Sequence, residues 1–317
     1  MPLVSFLVPV FNKARFLPAV LRALDTQEGD FSREFIFIDD GSSDDSPALL
    51  AAFAAGRSDV RIIRLEDEGP AFALNRAAAI ASGTYLKMVD ADDLLVPNAL
   101  VLLLKAITAH DAVLAFGTGA SYDSKLLPDI TVPPAADAPT RRLDRPLATI
   151  LTDIPLMSTI LVRRDAFIAV GGCDERVFVH DMPMLYRLAL VGAFAEVQTV
   201  LLLMPEQDPA RWSNRNHGQV LHDVNLAFYW LLGDHRDVPK DIARRAFHRA
   251  AGRAWKWAHR HGGQSVLSRY FLLNLLSYLP LPGGYQSLIG ATLSAFHLSS
   301  KIRHGTSPRP CCLGARA

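Results

Sequence analysis

The sequence predicts an α/β protein with a mostly parallel central sheet, helices on both faces and a C-terminal helical region. Three observations predict it. In the first third, short apolar runs alternate with segments of helical period, the β-α-β-α order of parallel strands joined by crossover helices. Three of these apolar runs end in polar clusters, and in such sheets ligands sit beyond the carboxyl ends of the strands. From about His217 to Leu298 the pattern is helical throughout.

Leu3 to Val10 reads as a buried strand. Ala14 to Leu24 puts Phe16, Val20, Leu21 and Leu24 on one helical face. Phe35 to Ile38 is a second strand, stopped by Asp39-Asp40-Gly41-Ser42. A helix follows over Ser46 to Ala55, then a third strand over Val60 to Leu65. Ala71 to Ala81 is an alanine-rich helix, with Gly83 placed to stop it. Tyr85 to Val89, a fourth strand, runs into Asp90-Ala91-Asp92-Asp93, and Pro97 is suited to the first turn of the next helix. Ala112 to Phe116 is a fifth strand. Tyr122 to Pro155, rich in Pro, Asp and Ala, reads as a long connection with at most short elements. Arg164 to Val170 and Asp181 to Val191 read as helices separated by Gly171-Gly172. The tail after Ser300, with Gly305, Pro308, Pro310 and Gly314, is expected to be poorly ordered.

Composition narrows the partners. The chain has 317 residues, half of them apolar, and a net charge of +1. That balance gives no reason to expect nucleic acid. The three cysteines, Cys173, Cys311 and Cys312, form no C-x-x-C pair, which fits a reducing cytoplasm better than a disulfide framework. The N-terminus lacks the pattern of a signal peptide. The nearest approach to a membrane span, Tyr270 to Leu298, is broken by Pro280, Pro282, Gly283 and Gly284.

Three polar clusters could carry chemistry. Asp90, Asp92 and Asp93 crowd carboxylates in a way that a divalent cation relieves, and hard oxygen ligands suit Mg2+ or Mn2+. Asp39 and Asp40 could accept hydrogen bonds from a base or ribose. The apolar segment Ser5 to Lys13 ends in Asn12. Taken singly, each also reads as a turn or a helix cap.

Taken together they carry a resemblance. The order P-V-F-N, I-D-D-G-S-S-D-D-S, G-P-A-F-A-L-N-R-A and A-S-G-T-Y-L-K-M-V-D-A-D-D resembles glycosyltransferase family 2 over about the first 100 residues. The resemblance implies a GT-A fold, a nucleotide-sugar donor, often UDP-linked, and inversion at the anomeric carbon. It implies that Pro9, Val10 and Asn12 lie on the nucleotide side and that Asp40 contacts the base, with Asp39 beside it. Asn75, Asp90 and Asp92 fall on the donor side. Asp92 and Asp93 fall where ribose and metal are handled, and the direct ligand among Asp90, Asp92 and Asp93 stays open. Leu74 stands where the family often has arginine.

Further along, S-T-I-L-V-R-R-D-A-F-I-A-V-G-G-C-D is similar to the family's acceptor-side segment. It precedes a catalytic acid pair, usually Glu-Asp. Here that pair is His180-Asp181, which puts Asp181 at the base position; the plainer reading is a helix cap. Gln207 to Trp212 looks like the Q-x-x-R-W of processive relatives with one residue too many. The resulting division is residues 1–116 as the donor half, 117–210 as the acceptor half of the same domain, 211–300 as a helical region and 301–317 as a tail. The acceptor would be a glycan, a lipid-linked molecule or another hydroxyl. The stretch Arg253, Trp255, Lys256, Trp257, His259, Arg260 and His261 reads as core packing or as a peripheral contact at the inner membrane face. A nucleotidyltransferase is the enzymatic rival, disfavoured by the glycine-free turn after the first strand. A catalytically inactive nucleotide-sugar-binding protein is the other.

Overall fold

A computed structural model describes residues 1–127, 131–206, 215–298 and 302. Gln207 to Trp212, Cys311, Cys312 and most of the tail lie outside the described residues.

The first half alternates as the sequence predicts: β1 (Leu3–Val10), α1 (Leu17–Asp25), β2 (Ser32–Asp39), α2 (Ser46–Ala54), β3 (Val60–Arg64), α3 (Pro70–Ile80) and β4 (Tyr85–Met88). These strands pair in parallel in the order β3-β2-β1-β4. The second half adds β5 (Leu94–Leu95), α4 (Ala99–Ala109), β6 (Leu114–Tyr122), β7 (Thr140–Leu143), α5 (Pro146–Ile150), β8 (Leu161–Arg163), α6 (Arg164–Ala169), α7 (Asp181–Val191) and β9 (Phe194–Pro205). Its strands extend the same sheet as β8-β6-β9-β5, with β7 on β9. The antiparallel β8 sits between β4 and β6, and β6 and β9 are again parallel. Among the described residues, four α-helices follow: α8 (His217–Asp234), α9 (Lys240–Gly262), α10 (Arg269–Leu276) and α11 (Tyr285–Thr292).

Side chains alternate across the strands, so one sheet feeds two cores. Val4, Phe6, Val8, Phe35 and Phe37 face α1 and α4 on one side. Leu7, Ile36, Ile38, Leu86 and Met88 face α3, α7, α8 and α9 on the other. Phe6 stacks on Phe35 at 5.0 Å, and Phe53 of α2 meets Phe35 and Phe37 edge-on.

Several element limits differ from the expectation for local reasons. α1 begins at Leu17 rather than Ala14: Lys13 N donates to Ser46 Oγ at the start of α2 and Ala14 N to Asp44 Oδ2, which ties these residues to the segment after β2. α4 begins at Ala99 rather than near Pro97: Leu94 and Leu95 pair with β9, and the Pro97 carbonyl accepts from Glu28 N. Gly83 does not stop α3. Its added Cβ would meet Ser5 Oγ at 2.5 Å and Leu3 O at 2.8 Å, so glycine is needed for close approach to β1. β6 runs to Tyr122, with a register shift near Gly117, where a Cβ would meet Leu201 at 2.6 Å.

Candidate active site

The carboxyl ends of β1, β2 and β4 share one edge because the three strands are parallel. There the first two loops are sewn together. Asn12 adopts a left-handed conformation, φ 52°, and its side-chain oxygen accepts from Ser43 N at 2.8 Å. Asn12 N donates to Ser42 Oγ at 3.0 Å. Pro9 and Val10 lead into this turn from buried β1, and the Val10 carbonyl accepts from Asp40 N.

The neighbouring aspartates divide their work. Asp39 Oδ1 accepts from Ser42 N at 3.0 Å, whereas its buried Oδ2 has no hydrogen-bond partner and lies 3.7 Å from Arg64 Nε. Asp40 accepts from Glu68 N and Gly69 N, one per oxygen, both at 2.8 Å. Asn75 donates to Cys173 O at 3.0 Å and to Glu175 Oε1 at 2.7 Å, and accepts from Cys173 N at 2.8 Å. Asp40 thus holds the entrance to α3, and Asn75 pins the middle of α3 to the loop between α6 and α7.

The acidic loop turns tightly after β4, with Asp93 N donating to Asp90 O at 3.0 Å. Asp92 and Asp93 are buried, and Asp90 is the most open of the three. Asp92 Oδ2 is paired with Lys13 Nζ. Ser158 Oγ accepts from Asp90 N at 2.9 Å. Among the described residues, no three His, Cys, Asp or Glu side chains gather to cage a metal. One or two carboxylates plus donor phosphates is the usual Mg2+ environment, so the carboxylate donors here fit a hard divalent cation.

Beneath the loop lies a residue that the sequence reading passed over. Lys87 is completely buried, and its ammonium donates to the carbonyls of Ser158, Ile160 and Met88. Burial pulls it down to about 7, against the opposing pull of Asp93 and Asp90. A charged residue inside the apolar run Y-L-K-M-V was the legible signal. A pH dependence follows. Above about pH 7 folded Lys87 has lost its proton, while the unfolded chain keeps it to about 10.5. The unfolded state then binds more protons, so this residue's contribution makes stability rise with pH across that window, at about 1.4 kcal/mol per pH unit. Lys87→Met is expected to remove this slope in urea unfolding followed from pH 7 to pH 10 in EDTA.

Asp181 is the first residue of α7, half-buried, and its Oδ1 accepts from Met182 N at 2.9 Å. His180 precedes it and places Nδ1 3.2 Å from Phe178 O. The segment is fixed from α8: buried Asp223 accepts from Phe178 N at 2.9 Å, from Gln219 at 2.8 Å and from His222 at 3.0 Å. Upstream, Asp174 binds Arg176 through both oxygens, at 2.8 and 2.7 Å. Burial opposes the Asp174 charge, but Arg176 outweighs it and holds the carboxyl below its usual range.

Comparisons with known proteins agree with this arrangement. The glycosyl transferase family 2 model matches residues 5–170. Glycosyltransferase GlyG of Streptococcus pneumoniae is 31% identical over 122 residues, 38% of this chain and 40% of that protein. Succinoglycan biosynthesis protein ExoO of Rhizobium meliloti is 33% identical over 115 residues, 36% of this chain and 32% of that protein. The chain therefore matches less than half the length of these curated relatives. In solved structures, residues 1–349 of S. aureus TarS superpose with a TM-score of 0.62 at 15% identity, covering 94% of this chain and 88% of that one. A mannosyltransferase from Pyrobaculum calidifontis, in complex with GDP-Man and Mn2+, superposes with a TM-score of 0.59 at 17% identity, covering 92% and 87%. With the matched family segment spanning more than half of the sequence, and the sheet and its polar edge arranged as described, the chain belongs to glycosyltransferase family 2 and has the GT-A fold.

Proposed function

We propose that the chain moves a sugar from a nucleoside diphosphate sugar, UDP-linked by preference, to an acceptor hydroxyl, with inversion at the anomeric carbon. The observation that carries this reading is the gathering of Asp39, Asp90, Asp92 and Asp93 at one edge of the parallel strands. Structural neighbours in complex with UDP-GlcNAc and with GDP-Man favour a donor of this class. The matches to GlyG and ExoO favour a place in cell-envelope or exopolysaccharide assembly.

Residues 1–116 form the donor half and residues 117–210 the acceptor half. Pro9, Val10 and Asn12 shape the wall against the base, and Asp39 lies beside it with Oδ2 3.7 Å from Arg64 Nε. Asp40 and Asn75 brace the donor side through α3, since their polar atoms already serve the backbone and Glu175. Asp92 and Asp93 would hold Mn2+ or Mg2+, with Asp90 at the open side; such a cation would supply Lewis-acid compensation for charge on the departing diphosphate. Lys13, paired with Asp92, offsets part of the charge of the three carboxylates. Asp181 takes the proton of the acceptor hydroxyl as that oxygen attacks the anomeric carbon and the bond to the diphosphate breaks.

Calorimetric titration of UDP and of GDP, with Mn2+ and then with EDTA, tests the donor site. Metal-dependent binding of one nucleotide is expected. If neither binds under either condition, a nucleotide of this kind is not the donor.

A further inference from the structure

We infer that α10 and the segments flanking it are a docking surface for an anionic lipid bilayer. The outward face of this region is apolar. Leu272 is 57% exposed, Leu275 49%, Tyr278 63% and Leu279 56%, and just before the helix Leu267 is 85% exposed. Leu272, Leu275 and Leu279 follow helical spacing, so they form one stripe turned away from the core. The opposite side of α10 is the one that packs. Tyr270 is buried, Phe271 meets Trp255 at 5.0 Å, and Ser277 accepts a contact from His248 Nδ1 at 2.9 Å. An apolar stripe facing water from an exposed helix costs solvation free energy unless a partner covers it.

The charge around the stripe selects the partner. From Ile242 to Ala317 the sequence contains no aspartate or glutamate. The exposed cations are placed at both ends of the stripe. Arg244 and Arg245 lie one turn before His248, whose ring meets Tyr278 at 4.6 Å. Lys256 and Arg260 lie on the same helix as Trp255, and Arg269 opens α10 itself. Asp241, one turn before Arg244 and Arg245, is paired with Arg145. An apolar ridge flanked by these basic side chains complements a bilayer surface carrying anionic headgroups, with the leucines entering the acyl boundary and the cations meeting phosphate. A second copy of the same surface would bring like charges together. No helix among the described residues is long and apolar enough to cross a membrane, so the contact is peripheral. Of the seven-residue basic and aromatic stretch, Arg253 and Trp257 are not part of it: Arg253 donates to Asn225 Oδ1 at 2.9 Å, and Trp257 is buried and stacks on His261 at 3.9 Å.

The test is co-sedimentation of the full chain with vesicles of phosphatidylcholine alone and of equimolar phosphatidylcholine and phosphatidylglycerol. It needs no nucleotide, so its outcome is independent of the proposed transferase activity. Binding to the mixed vesicles is expected to exceed binding to the neutral ones by at least about tenfold and to fall with added salt. Leu272→Asp with Leu275→Asp is expected to abolish it; both residues are exposed, and unchanged circular dichroism would verify the fold. Arg244→Gln with Arg245→Gln is expected to weaken it by about fivefold per residue. Absence of binding to the mixed vesicles overturns the inference. So does binding that the leucine substitutions leave unchanged, or a dimer in sedimentation velocity that the same substitutions dissolve.

Discussion

Asp181→Asn is expected to lower sugar transfer by about a thousandfold while leaving Mn2+-dependent nucleotide affinity within about twofold of the unsubstituted chain. Asparagine keeps the shape and can still accept from Met182 N through its oxygen, so the start of α7 is preserved. It cannot accept the acceptor's proton. The segment is also held independently by the bond from Phe178 N to Asp223 and by Asn75 on Cys173. A steep loss of turnover would therefore report chemistry rather than collapse. Single-turnover transfer beside a nucleotide titration separates the two. Normal turnover by the variant would remove Asp181 from the base position.

Asp92→Asn combined with Asp93→Asn is expected to reduce Mn2+-dependent affinity for the donor nucleotide by at least about a hundredfold. Two changes are involved. The hard anionic ligands become neutral amides. Lys13, paired with Asp92, loses its counter-charge. An uncompensated cation attracts a diphosphate, so binding in EDTA should stay the same or strengthen. The two arms move in opposite directions, which distinguishes lost metal binding from a damaged pocket. Equal Mn2+-dependent affinity in the double variant would take both residues out of the site.

Much of the donor half was legible in the sequence because its signals are local. β1, β2, β3 and β4 are short apolar runs with clear stops, and their order alone requires crossover helices. The second half was less legible. β9, the longest strand at 12 residues, was not anticipated, nor were β5, β7 and β8. β5, β7 and β8 have only two to four residues, and their pairing is set by distant partners rather than by their own pattern. β9 carries a continuous apolar run in its C-terminal half, a signal that periodicity does not separate from a buried helix. In the site, the clustering of acidic residues was readable, but their partners were not. Nothing local in Asp40 or Asn75 announces bonds to Gly69 and Cys173, the second nearly a hundred residues away. Lys13 was equally silent, since its ion pair with Asp92 across 79 positions is a property of the folded chain.

The two clamps on α3 have a mechanical consequence. Asp40 grips the amides at its entrance, and Asn75 grips Cys173 from its middle, about 9 Å further along at the helical rise. Between those grips runs hydrogen-bonded helix, which resists compression far better than packed side chains do. α3 is thus a spacer between the Asp40 turn and the loop that leads to Asp181. In the transfer proposed above, main-chain geometry rather than side-chain packing would set the separation of those two ends.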